Sequence, residues 1–290
     1  FTGENYVERT LIKAIKNDIA LYAIHTNLDN IHTGVNKMLA DKIGLINTRV
    51  LVPKKEVIKQ LVTYAMPADA DSIRNALFEI GAGALGEYSE CSFTVSGSGT
   101  FKGSQNSNPV VGEKGIRTCQ VEERIEILFP AFMESRVISV LKNSHSYEEV
   151  AYSVFNLSNE NQNVGSGMIG ELSIAENSLD FLGTLKNNLN ADGIRYTSLV
   201  KNKIKKVAIC GGSGSFLLQA AIRSGADVFI TGDFKYHEFF DAENKIIIAD
   251  VGHYESEQYT KDLIADFLSE KFPKFAVHLS KVNTNPINYL

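Results

Sequence analysis

Two short stretches in the last quarter of the chain concentrate carboxylates and imidazoles: Thr231-Gly-Asp-Phe-Lys-Tyr-His-Glu238 and Asp250-Val-Gly-His-Tyr-Glu-Ser-Glu257. These are donor types that bind Zn, Mn, Fe, Co and Ni. His253 and Glu257 are four residues apart, so a helix beginning near Tyr254 turns both the same way. Between the stretches, Lys245-Ile-Ile-Ile-Ala-Asp250 reads as a buried strand. A further pair lies far upstream in His25-Thr-Asn-Leu-Asp29, after an apolar run at 18–24 that also reads as a buried strand. One strand ending in His-x-x-x-Asp and another in His-x-x-x-Glu look like one device used twice. Ligand sites in α/β sheets gather at the carboxyl ends of parallel strands, which would bring His25, Asp29, His253 and Glu257 around one pocket. The plainer alternative is that His25 and Asp29 cap the helix that follows. Asp233 and His237 have a similar alternative, a helix cap and a hydrogen-bonded structural histidine.

A glycine turn, Gly211-Gly-Ser-Gly-Ser215, falls between a strand at 206–210 and a helix at 216–224. Backbone N–H groups of Gly212, Ser213 and Gly214 could cradle an anion there. No Lys follows as in a phosphate-binding P-loop, and Leu217 stands where the last glycine of a dinucleotide fingerprint would be. A tight structural turn is the competing reading.

The elements that must position these residues alternate as an α/β fold at both ends of the chain. A helix with Val7, Leu11, Ile12, Ile15 and Ile19 on one face opens it, and a helix at 34–43 is closed by Gly44. From 158 onward strands at 166–173, 206–210, 227–230 and 245–250 alternate with helices at 178–189, 216–224 and 258–271. Residues 49–157 differ. There the order is strand (59–66), helix (69–78), strand (92–98), strand (124–129), helix (134–143), strand (150–157), the ferredoxin-like order. Residues 97–115, rich in Gly, Ser and Asn, read as a long loop. His145-Ser-Tyr-Glu-Glu149 is the main cluster of potential ligands in this part. The organisation expected is thus 1–48 as part of a first α/β lobe, 49–157 as an inserted domain, and 158–290 as a second lobe carrying most of the site.

Bulk properties narrow the function. A length of 290 residues allows one large core or two smaller ones. A net charge of −5 and pI near 5.8 argue against a general nucleic-acid surface, and no basic helix suggests a DNA-binding regulator. No apolar run approaches the roughly 20 residues needed to span a bilayer, and the polar first residues do not read as a signal peptide. Cys91, Cys119 and Cys210 are widely spaced and odd in number, which suits buried thiols in a reducing cytoplasm better than disulfides or a thiolate zinc site.

Four ordered motifs then carry a resemblance: His25-Thr-Asn-Leu-Asp29 with Gly34-Val-Asn36, Gly211-Gly-Ser-Gly214, Thr231-Gly-Asp-Phe-Lys-Tyr-His237, and Gly252-His-Tyr-Glu-Ser-Glu257. With them the chain resembles the dinuclear-metal NIF-three-like family, the GTP cyclohydrolase 1 type 2 homologues. Gly81-Ala-Gly, Tyr88-Ser-Glu-Cys-Ser92, Gly97-Ser-Gly-Thr-Phe101 and Tyr147-Glu-Glu-Val-Ala-Tyr152 are similar to the extra module of its longer bacterial members. The resemblance covers nearly the whole chain. It implies a two-lobed α/β fold with an inserted α+β ferredoxin-like (PII/CutA-like) domain, a pocket for two divalent ions, and a toroidal homohexamer, a trimer of dimers. By position, Asp29, His253 and Glu257 correspond to metal ligands, with His25 an additional ligand or the partner of one. The family's upstream His-His-Pro motif has no counterpart here. The expectation is that an N-terminal segment bearing it is absent from this sequence; the alternative is a variant whose site is weakened or lost.

Two ions bridged by Asp29 would suit activation of water and clamping of an oxyanion. His237 or Glu238 would then be the proton shuttle, and Asp233 would orient a ligand. The functions implied are a metal-dependent hydrolase of a nucleotide or another small phosphate-bearing ligand, with GTP ring opening as what the family suggests, or a non-enzymatic metal-binding scaffold, store or regulatory partner.

Overall fold

Val207-Ala-Ile-Cys210, Val228-Phe-Ile230 and Ile247-Ile-Ala249 contain no polar side chain, the mark of strands buried on both faces. In the computed structural model, which describes residues 1–290, they form the middle of a six-stranded sheet. The strand order is Ile46–Lys54, Asn161–Asn177, Lys203–Ser213, Val228–Gly232, Ile247–Asp250, Arg195–Tyr196. The three central strands are mutually parallel, and Asn161–Asn177 and Arg195–Tyr196 run antiparallel to their neighbours on either side. Side chains alternate along each strand. Val207, Ile209, Val228, Ile230 and Ile247 therefore pack with the helices Val35–Ile43 and Ser178–Asn188. Ala208, Cys210, Phe229 and Ile248 pack on the other face with Leu217, Leu218, Ala221 and Phe234. The carboxyl ends of the parallel strands lie side by side, with Ser213 opposite Gly232 and Thr231 opposite Asp250. All three motif-bearing turns leave the sheet at that edge.

This sheet belongs to a unit made of Phe1–Val52 and Asn163–Leu290; Pro53–Gln162 forms a second unit. The strand Ile46–Lys54, not foreseen from the sequence, moves the first boundary a few residues past 49, because it joins the six-stranded sheet before the chain enters the second unit. Residues 18–24 depart from expectation altogether. They form no strand, and Ile19 and Leu21 are more than half exposed. An apolar run becomes a strand only where a neighbouring edge takes its hydrogen bonds and a layer covers its side chains, and no strand pairs with this one. The preceding helix, Tyr6–Lys16, forms as its periodicity requires, yet buries only Ala14.

In the second unit an antiparallel sheet has the order Ser92–Lys102, Arg117–Pro130, Ile58–Ala65, Tyr152–Leu157. One face holds Leu61, Ile125, Ile127 and Phe129 against Ile73 and Leu77 of the helix Pro67–Glu79 and Val137 and Leu141 of the helix Glu134–Ser144. The expected loop at 97–115 begins later than its composition suggests. Gly97 to Lys102 stay paired with Glu122 to Arg117 in a long hairpin arm. A continuous partner strand overrides the low strand preference of Gly and Ser.

No helix is long and apolar enough to cross a membrane. The three cysteines are free, Cys119 exposed and Cys210 buried. Burial, with the nearby carboxylates of Asp29 and Glu257 adding to it, pushes the Cys210 thiol up to about 12. A raised thiol pKa keeps the unreactive protonated form at all lower pH. Iodoacetamide at about pH 8 should therefore label Cys119 and spare Cys210 until denaturant is added, as read by peptide mass mapping. Equal labelling rates in the folded protein would contradict this account of the core.

Candidate metal centre

The site is built on one buried carboxylate. Asp250 ends its strand and is 3% exposed. Its Oδ2 accepts from the backbone N–H of Phe234 at 3.0 Å and from the Arg195 guanidinium, and its Oδ1 accepts from the N–H of Gly252 at 3.0 Å. Arg195 also donates to the carbonyl of Phe234 at 2.9 Å. The turn after Val228–Gly232 is thereby tied to the turn after Ile247–Asp250. Asp233 in the first turn holds a left-handed backbone, φ 59°, and Gly252 in the second has φ 96°. A Cβ on Gly232 would come within 2.7 Å of the His253 nitrogen, so the two turns meet only because that position is glycine.

This closeness brings Asp233 to His253, whose Nδ1–H donates to Asp233 Oδ2 at 2.6 Å. The helix His253–Glu257, starting one residue before the expected Tyr254, then places His253 Nε2 at 3.3 Å from Glu257 Oε2. Burial opposes the charged imidazole, but the hydrogen bond to Asp233 and the charges of Glu257 and Asp233 outweigh it, so the His253 pKa lies above its usual value. Burial likewise raises Glu257, with Asp29 adding to the effect and His253 and His25 opposing it. Asp29 is raised by burial, against the pull of His25 and His253. The four residues expected from the sequence thus lie within electrostatic reach of one another.

Asp29 comes from far away in the chain through Asn36, which is 3% exposed. The Asn36 amide donates to the Asp29 carbonyl at 2.9 Å and accepts from the N–H of Gly211 at 3.0 Å. At Gly34 a Cβ would collide with the carbonyl of Leu28, which accounts for the glycine of the Gly34-Val-Asn36 motif. His25 precedes the one-turn helix Thr26–Asp29 with φ 41° and makes no side-chain cap, so capping does not explain it. Beside Glu257, a Cβ on Gly212 would strike Glu257 Oε1 and come within 3.3 Å of His253 Nε2. The glycine leaves open the space over the two donors.

Hydrogen bonding also bears on the glycine turn and on Glu238. The N–H of Gly211 is taken by Asn36 and that of Gly212 by Ser256 Oγ at 2.9 Å. Ser213 is in the strand, and a Cβ on Gly214 would press on Thr231 and Cys210. The N–H of Gly212 is therefore not free for an anion, and these contacts fit the reading of the stretch as a tight structural turn. Glu238 accepts from the N–H of Lys235 at 2.9 Å and from Ser215 Oγ at 3.2 Å, which makes it the cap of the 3-10 helix Tyr236–Ala242. The His237 ring lies edge-on to Tyr236, 5.4 Å between centroids. Across from His253 and Glu257, Val282, Thr284 and Ile287 form the far wall of a cavity of about 510 Å³.

The donors present, one or two imidazoles and two carboxylates, fit a borderline divalent cation by type, and Gly212 provides the space. No group of three or more His, Cys, Asp and Glu side chains is close enough to hold an ion by itself, so the arrangement fits part of a ligand shell rather than a closed one. Sequence reasoning missed Asp250, Arg195 and Ser256. The one available signal was an Asp ending an apolar strand, two residues before a glycine.

Comparisons with known proteins identify the family of the chain. The family model of Duf34/NIF3 (NGG1p interacting factor 3) matches residues 1–286. The GTP cyclohydrolase 1 type 2 homolog of Halalkalibacterium halodurans is 36% identical over 287 residues, covering 97% of this chain and 77% of its own length. That of Bacillus subtilis is 36% identical over 288 residues, with the same coverage of each chain. The crystal structure of a Bacillus cereus protein related to NIF3 superimposes with a TM-score of 0.83 at 37% identity, over 99% of this chain and 78% of that one. The chain belongs to the Duf34/NIF3 family.

Proposed function

We propose that the protein binds two divalent metal ions, with Asp29, His253 and Glu257 as ligands and His25 beside them, and that the pair serves hydrolysis of a phosphate-bearing small molecule of the nucleotide class. The observation that carries this reading is the Asp233–His253–Glu257 chain. Asp233 holds His253 Nδ1, so Nε2 is aimed at Glu257 Oε2 3.3 Å away. A carboxylate on the far nitrogen of a histidine fixes its ring and raises its basicity toward a metal. His253 and Glu257 would hold an ion, and Asp29, tied in through Asn36, would be a further ligand. Bound divalent ions of this kind, Zn, Mn, Fe, Co or Ni, acidify a water and neutralise an oxyanion.

The residues of the chain then hold and orient. The stretch that includes Val282 and Ile287 gives an apolar wall for the organic part of a ligand, and Lys261, on the same cavity, a cation for an anionic group. The name borne by the relatives, GTP cyclohydrolase 1 type 2 homolog, supports a nucleotide. We place the protein in the cytoplasm as a homohexamer, a trimer of dimers. A second reading, a non-enzymatic metal scaffold or store, is favoured by one observation: the Glu238 oxygens are engaged by the N–H of Lys235 and by Ser215 Oγ as a helix cap.

Metal analysis after loading with Zn or Mn should find two equivalents in the native protein. Fewer should remain in Glu257→Ala and His253→Ala, and unchanged metal content in both would sink the site. Asp233→Asn tolerates the left-handed backbone and should weaken metal affinity about 10–100-fold by calorimetry. Gly212→Ala should lower it too, since the added Cβ meets Glu257 and the backbone there is left-handed, φ 65°; affinity equal to native would show that the space over Glu257 is not used. With metal loaded, the hydrolase reading expects turnover of GTP that Glu257→Ala abolishes. Two equivalents bound without turnover of GTP or related nucleotides would leave the scaffold.

A further inference from the structure

The second unit has a cavity of its own, about 430 Å³, which the metal reading does not use. Two motifs left without a role meet on its wall, Gly97-Ser-Gly-Thr-Phe101 and Tyr147-Glu-Glu-Val-Ala-Tyr152. The first lies on Ser92–Lys102, an edge strand. The loop that follows folds back so that Pro109 and Val110 also line the space. It is pinned by the N–H of Asn108 on Glu148 Oε2 at 2.7 Å and the N–H of Gly115 on the Gly103 carbonyl at 2.8 Å.

The polar part of the wall is built, not incidental. His145, 9% exposed, accepts the N–H of Tyr147 on Nδ1 at 3.0 Å, so its Nε2–H donates to the Tyr64 carbonyl at 2.9 Å. This ring, held at both nitrogens, sets the start of the Tyr147 segment, and the two rings lie 4.9 Å apart. Tyr147 Oη then donates to Glu122 Oε1 at 2.9 Å. The other oxygen, Oε2, lies over Gly99, where an added Cβ would collide with it. Burial first, then Glu122, pushes the Tyr147 hydroxyl up to about 12, so it remains a donor to that carboxylate. Around it the wall carries Glu148 and Glu149 against a single cation, Lys102, while Phe101, Pro109 and Val110 supply an apolar side.

A concave, largely apolar space with a few fixed polar groups is the form of a small-molecule site. An excess of carboxylate on its wall selects for positive charge, and a hydrogen bond from an ammonium to a carboxylate is among the stronger ones available. We propose that this cavity binds a small organic cation, a primary amine on a short apolar chain, with the ammonium on Glu122 and the hydrocarbon against Phe101, Pro109 and Val110. The site is independent of the metal centre and of the reaction assigned to it.

The test is titration of the whole protein with n-hexylamine, followed by calorimetry, with hexanoate as the probe of equal length and opposite charge. Saturable binding of hexylamine and none of hexanoate is expected. Glu122→Gln keeps the shape and the hydrogen bond to Tyr147 but removes the charge, and should weaken hexylamine binding about tenfold or more. Gly99→Val, at a backbone position without left-handed strain, should displace the Glu122 carboxylate, fill the space and abolish binding. Both variants should keep the native thermal transition. No saturable hexylamine binding, equal binding of hexanoate, or native affinity in both variants would overturn the proposal.

Discussion

A carboxylate buried at the end of a strand must find donors, and the Asp250 carboxylate finds them in two turns at once. Its oxygens are shared between the N–H of Phe234, the N–H of Gly252 and the Arg195 guanidinium. Arg195 is well exposed, so its charge is screened and the backbone donors are the more durable partners. Each of those N–H groups, buried without an acceptor, would cost on the order of 1–3 kcal/mol. The carboxylate is therefore less an ion-pair partner than a knot. It fixes the angle at which two chain segments leave the sheet, and every distance in the Asp233–His253–Glu257 chain follows from that angle.

The sheet does the rest by register. Parallel pairing puts Ser213, Gly232 and Asp250 at one edge, and burial on both faces leaves the strands no freedom to slide. Onto that edge Asn36 fastens a segment from the other end of the chain, using one side-chain amide as donor and acceptor together. Glycines at 34, 212 and 232 occur where backbone or side chains approach too closely for any Cβ. The glycine turn packs closely enough on Glu257 and His253 that a Cβ at Gly212 would displace them.

How much of this was legible follows from what each signal measures. Apolar periodicity reports burial, so the helix Val35–Ile43 was readable almost to the residue and the central strands to within about three residues at their ends. The same signal misled at 18–24, where apolar side chains have no layer over them and no strand edge beside them. Composition misled at Gly97–Lys102, where pairing with Arg117–Glu122 decides the conformation. Residue type and spacing singled out His25, Asp29, His253 and Glu257, which the fold brings within electrostatic reach of one another. They could not tell a carboxylate that faces the site from one that caps a helix, which is the difference between Glu257 and Glu238, because only hydrogen-bond partners distinguish them. Asp250 escaped notice for the same reason.

The second unit interrupts the first between Val52 and Asn163. Ile46–Lys54 must pair with Asn161–Asn177 across that gap. For a floppy segment, closing so long a loop carries an entropic cost that grows with the logarithm of its length. The intervening unit has its own core and a largely antiparallel, sequence-local sheet, so it can collapse first and shorten the effective tether. On a ribosome the order is forced further. Asp29 emerges well before His253, with the whole of the second unit made in between. The two cannot meet until that unit has been synthesised, so whatever this edge of the sheet captures, it captures only after the second unit is in place.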